Sequence, residues 1–92
     1  MSKSFRDRVT RALFDGDPPK RFVNIARVAA RKLDMLDAAH GLSDLRVPPG
    51  NRLEALHGDR AGQHSIRIDD QWRLCFIWGE DGPSEVEIVD YH

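Results

Sequence analysis

Ninety-two residues, 40% hydrophobic and 32% charged, suit one small domain spanning 1–92 and exclude both a second domain and a disordered chain. No apolar run approaches the roughly 20 residues of a membrane span, and the N-terminus lacks the apolar segment of a secretion signal. The single Cys75 cannot form an internal disulfide, so a reducing cytoplasm is the expected setting, with Cys75 as buried filler. The net charge of −1 conceals an asymmetry: residues 1–32 carry +6 and residues 33–92 carry −7. Such a chain should present surfaces of opposite sign, compatible with an anionic polymer and a basic protein as partners.

In chain order, Val9, Ala12, Leu13 and Phe14 predict a first helix, ended by Asp15-Gly16-Asp17-Pro18-Pro19. Ile25, Val28, Ala29, Leu33 and Leu36 recur at helical spacing and predict a second, with Asn24 as N-cap and Gly41 just past its C-terminus. A turn at Leu42–Leu45 and the break at Pro48-Pro49-Gly50 follow. The period then falls to two. Strands are expected at Leu53–Leu56, His64–Ile68, Trp72–Trp78 and Glu85–Tyr91, joined by Gly-, Asp- and Pro-rich turns. Helices first and an antiparallel meander afterwards predict an α+β domain, its helices packed on one face of a small twisted sheet. A site could form on the other face.

Alternation puts Arg67 opposite Ile66 and Ile68, and Arg73 opposite Trp72 and Leu74, so both arginines can share the uncovered face. Arg52, Arg60, His57 and His64 fall on the same strands or their loops. A guanidinium suits phosphate because its planar fork bonds two oxygens and never deprotonates. The same arginines could instead pair with Glu87, Asp69 or Asp70 on a solvated face. The last three residues, Asp90-Tyr91-His92, supply a carboxylate, a phenol and an imidazole, the groups of general acid–base chemistry. No His-Glu-x-x-His pattern or cysteine pair points to a metal, and Gly58 and Gly62 do not stand between a strand and a helix as a phosphate-cradling loop would, so neither metal nor cofactor is expected. His64 and Ser65 are neighbours on opposite strand faces, which argues against a hydrolase triad.

Gly58-Asp59-Arg60-Ala61-Gly62, Ser65-Ile66-Arg67-Ile68, Gln71-Trp72-Arg73-Leu74 and Asp90-Tyr91-His92, with the upstream segment from Arg46 to Leu56, resemble the HigB toxins, the plasmid-maintenance killer-protein branch of the RelE superfamily. The resemblance covers essentially the whole chain. It implies a type II toxin–antitoxin pair and a metal-independent endoribonuclease that cuts mRNA in the ribosomal A site. It also implies a HigA-like helix-turn-helix antitoxin that makes most of the operator DNA contacts. Carried over residue by residue, it implies a phosphate-stabilising Arg73 and a catalytic cluster of Asp90, Tyr91 and His92, with Tyr91 stacking on a base. Arg52, His57, Arg60 and Arg67 are the RNA-contact candidates. Some relatives carry a histidine where this chain has Glu54; His92 is the preferred acid or base, and Glu54 could act as base and so put His92 toward the acid role, the sequence leaving that partition open. A terminal carboxylate on His92 would favour its protonated form. In a regular strand Asp90 and His92 face one way and Tyr91 the other, so Asp90 is expected to orient its neighbours. Two other readings stand beside this one. The chain could be a non-catalytic protein that complexes a helix-turn-helix regulator and modulates repression of its own operon, or a free RNA-binding domain using Tyr91 as a stacking platform.

Overall fold

A computed structural model describes residues 5, 6 and 8–90. The predicted helix–helix–meander order is present: α1 (Arg8–Phe14) and α2 (Ala26–Ala38) precede β1 (Glu54–Ala55), β2 (Gln63–Arg67), β3 (Trp72–Gly79) and β4 (Gly82–Asp90). The four strands pair antiparallel in the order β1-β2-β3-β4. Single 3-10 turns occupy Lys20–Phe22, Leu42–Arg46, Pro49–Asn51 and Gly58–Arg60.

One stripe of α2 explains the packing. Ala29, Leu33 and Leu36 have no exposed surface, and with Ile25 they meet Ile66, Ile68, Leu74, Phe76 and Ile88 on the inner sheet face. Each fully buried Leu, Ile or Phe side chain contributes roughly 1.5–3 kcal/mol. α1 is too short to be stable alone. It is held by a tertiary bond in which the Ile88 amide donates to Thr10 Oγ1 at 3.1 Å, while the Arg6 amide donates to the Val86 carbonyl at 2.9 Å.

Several boundaries differ from expectation. Asn24 does not cap α2: Ile25 is the N-cap and makes no side-chain cap bond, and the Ile25 and Ala26 amides are taken by the Phe22 and Val23 carbonyls of the preceding turn. Gly41 is extended (φ −150°) rather than left-handed, and the Asp44 carboxylate accepts from the His40 and Gly41 amides instead. β1 is confined to two edge residues. β4 begins at Gly82, because Glu80 and Asp81 alone close a hairpin between Gly79 and Gly82. Pro83 fits inside that strand since β4 is an edge, where a missing N–H is tolerated. A register shift opposite Cys75–Ile77 absorbs Glu85, whose φ is +51°, as an extra residue. The bulge rephases the strand so that both Pro83 and Val86 point into the core.

Candidate functional site

The strand register fixes the second face. Pairing Glu54 with Ser65, Ser65 with Cys75, Arg67 with Arg73, Cys75 with Glu87 and Arg73 with Val89 sets these side chains on the side away from the helices. Sequence alternation predicts this grouping. It does not predict that the face is half closed: Ser65, Arg73 and Cys75 are only 0%, 7% and 1% exposed. The chain from Arg52 through the Gly58–Arg60 turn supplies the cover. Arg60 reaches from that turn to Glu87 on β4, with its Nη1 donating to Glu87 Oε1 at 2.8 Å and to Gln63 Oε1 at 3.1 Å. A cleft of about 540 Å³ remains beneath, lined by Glu54, Ala55, Leu56, His57, Arg60, Cys75, Val89 and Asp90.

Arg73 is the most constrained charged group on this face. Its Nε donates to Ser65 Oγ at 2.8 Å and its Nη2 to the Arg52 carbonyl at 2.7 Å, while Glu54 Oε1 stands 3.5 Å from Nη2. The Arg52 carbonyl is aimed by the local backbone. Arg52 is left-handed (φ 46°, ψ 54°) at the end of the Pro49–Asn51 turn. That turn is pinned by Asn51, which is wholly buried, donates to the Leu45 carbonyl at 3.1 Å and accepts from the Lys32 ammonium. A buried ammonium or guanidinium is tolerated only when well bonded, and Arg73 meets that condition.

The electrostatics follow from these contacts. The Glu87 hydrogen bond holds the Arg60 guanidinium still more firmly protonated. Burial pushes the Cys75 thiol above its ordinary value, so the cleft floor carries a neutral, weakly nucleophilic sulfur. Burial, with the nearby Arg31 and Arg67 charges, pushes the Lys32 ammonium down.

Of the sequence-predicted residues, Glu54, His57, Arg60 and Asp90 line the cleft and Arg73 lies beside Glu54. Arg67 does not join them. Its guanidinium pairs with Asp70 in the β2–β3 turn, one of the solvated-face pairings foreseen, and Arg60–Glu87 is another. Arg52 contributes its carbonyl, with its side chain exposed. Asp90 Oδ2 accepts from Gln71 Nε2 at 3.2 Å across the end of the sheet. Tyr91 and His92 lie outside the described residues. Sequence reasoning passed over Ser65 except as a nucleophile, and assigned Cys75 to filler. It is buried as expected, but on the cleft side of the sheet. Alternation alone put Ser65 on the face of Arg67; the missing signal was the β2–β3 register.

Helices on one face of a four-stranded antiparallel sheet, and on the other a cleft with a fixed arginine beside a carboxylate, are consistent with a RelE-like α+β toxin. The family described as the RelE-like toxin of the type II toxin–antitoxin system HigB matches residues 3–92. Toxin HigB-1 of Vibrio cholerae serotype O1 is 40% identical over 94 residues, covering 100% of this chain and 98% of the relative. An uncharacterised protein of Haemophilus influenzae is 45% identical over 53 residues, 58% of this chain and 52% of its own length. The chain belongs to the HigB-like toxin family. It is a toxin of a type II toxin–antitoxin system, and that membership implies an antitoxin partner.

Proposed function

We propose that this toxin is a metal-independent, ribosome-dependent endoribonuclease that cuts mRNA in the A site, and that a HigA-like helix-turn-helix antitoxin neutralises it. The observation that carries this reading is the juxtaposition of a buried, doubly anchored Arg73 and a half-exposed Glu54 carboxylate, 3.5 Å from Nη2, at the wall of the cleft. Cleavage at a ribose needs little more than such groups. A base takes the 2′-hydroxyl proton, the 2′-oxygen bonds to phosphorus, and the P–O5′ bond breaks as an acid protonates the leaving oxygen. The products are a 2′,3′-cyclic phosphate and a 5′-hydroxyl. Charge building on the phosphorane is offset by a fixed cation.

In this reading Arg73 stabilises the phosphorane and Glu54 is the base beside it. His92 is the acid, Tyr91 stacks on a base, and Asp90 orients its neighbours. His57 and Arg60 on the cleft wall contact the RNA backbone, and Arg52 and Arg67, outside the cleft lining, would meet it farther along the strand.

The test is to induce the chain in cells and map 5′ ends on ribosome-associated mRNA. Cuts confined to the A site, lost in Arg73→Ala together with growth arrest while antitoxin binding persists, are the expected result. A ribose lacking its 2′-hydroxyl at the cut position should block cleavage. Absence of A-site cuts would overturn the enzyme reading in favour of a protein whose task is to complex its regulator.

A further inference from the structure

We propose that Ser65 is a positioning residue for Arg73, setting the plane of the guanidinium without itself touching substrate; this rests on the ribonuclease reading above. The Ser65 hydroxyl is fully buried, lies outside the cleft lining and accepts from Arg73 Nε at 2.8 Å. It cannot reach a bound RNA. Its partner can act there, because Arg73 Nη2 is 3.5 Å from Glu54 Oε1 on the cleft wall.

The geometric argument turns on how a guanidinium is held. The Arg52 carbonyl accepts from Nη2, which also faces Glu54, and so holds one end of the guanidinium. A second acceptor at Nε, on β2, fixes the rotation, so the fork meets Glu54 at one defined angle. The two acceptors come from different parts of the fold. Ser65 stands opposite Cys75 in the β2–β3 ladder, and Arg52 ends the turn anchored by Asn51. Ser65 thus couples sheet register to the orientation of the proposed cation. Oriented charge is worth more than charge merely nearby, since a misplacement of about 1 Å can cost roughly 100-fold in rate.

The experiment uses the purified full-length chain on mRNA-programmed ribosomes. Ser65→Ala should lower kcat about 10- to 100-fold with KM changed less than about twofold, because the charge remains and only its aim is lost. Ser65→Thr, which retains the hydroxyl, should restore most of kcat. Independently of activity, the Arg73 Nε–H in the wild-type chain should give a slowly exchanging 1H–15N signal that is lost in Ser65→Ala. Unchanged kcat in a folded Ser65→Ala variant, or rapid water exchange of that proton in the wild type, would overturn the proposal. Arg73→Ala separates the two levels. If it still cleaves fully, the assignment of Arg73 falls and this proposal with it; if it is inactive while Ser65→Ala is normal, only the positioning role falls.

Discussion

Asn51→Ala should destabilise the chain by about 3 kcal/mol, far more than a polar residue in a short turn would suggest. Asn51 has no exposed surface, and its amide group makes three hydrogen bonds: it accepts from the Lys32 ammonium and donates to the Leu45 carbonyl and, weakly, to Met35 Sδ at 3.7 Å. Removing Nδ2 leaves the Leu45 carbonyl without that donor in a site closed to solvent, at a cost of about 1–3 kcal/mol. The bond from the Lys32 ammonium counts for less, about 0.5–1 kcal/mol, because Lys32 is only partly covered and water can replace the amide. The void left beside Met35 adds about 1 kcal/mol. Against a typical stability of roughly 5–15 kcal/mol this is a large fraction, equivalent to a fall in Tm of about 12–20 °C. Equilibrium urea unfolding followed by Trp72 and Trp78 fluorescence measures it. Asn51→Asp isolates the larger contribution. It keeps the shape and the Lys32 contact but sets a carboxylate oxygen against the Leu45 carbonyl, and should be nearly as destabilising at pH 7. A loss below about 1 kcal/mol for Asn51→Ala would show that the Leu45 carbonyl finds water and that Asn51 is not the tie described.

Thr10→Val removes the acceptor of the buried Ile88 amide and should cost about 1–3 kcal/mol, while Thr10→Ser retains the hydroxyl and should cost less. Faster hydrogen exchange at Ile88 in Thr10→Val marks the same event, and equal stability of Thr10→Val and wild type would refute the pinning of α1. Cys75 should resist iodoacetamide at pH 8 in the native chain and react promptly in urea, because burial keeps the thiol protonated and covered. Its folded value lies above the unfolded one of about 8.5, so the stability it contributes is present below that pH and lost as pH rises through the folded value. Cys75→Ala should remove that alkaline decline. Native-state alkylation at the denatured rate would contradict the assignment.

The parts of this fold legible in the sequence are those governed by period. Helical spacing from Ile25 to Leu36 located α2 and its buried stripe, and alternation in Ser65–Ile68 and Trp72–Trp78 assigned Arg67 and Arg73 to the face away from the helices. Features decided by register or chain path were not legible. The bulge at Glu85 depends on how β4 meets β3, and it brings Pro83 and Val86 into the core on one strand. The Ser65–Arg73 bond depends on the β2–β3 register. The burial of Arg73 depends on the route from Arg52 to Arg60, which runs over a face the sequence alone would leave partly open.

That cover also changes what the charge asymmetry means. Much of the basic excess of residues 1–32 lies on the helical layer, where Arg8, Arg11, Lys20, Arg21, Arg27 and Arg31 are exposed, while Arg6 reaches Glu87 on the cleft face. The cleft is built from the acidic part of the chain. Its wall carries Glu54 and Asp90 against Arg60, with Arg73 behind them, and Arg60 is already engaged by Glu87. Among the described residues its charges are close to balanced, with Glu54, Glu87 and Asp90 against Arg6, Arg60 and Arg73. Such a site exerts little long-range pull on an anionic polymer, since affinity for free nucleic acid grows with the number of phosphates neutralised. What it offers is a rigid arginine beside a carboxylate, useful only once a phosphodiester is delivered in the right geometry. A substrate strand held by another body arrives already ordered, so the toxin need not bear the cost of ordering it. Under the ribonuclease activity proposed above, such a cleft would act on mRNA already fixed on the ribosome rather than on RNA captured from solution. Cleavage of free RNA at a comparable rate, in buffer of physiological ionic strength, would sink that inference.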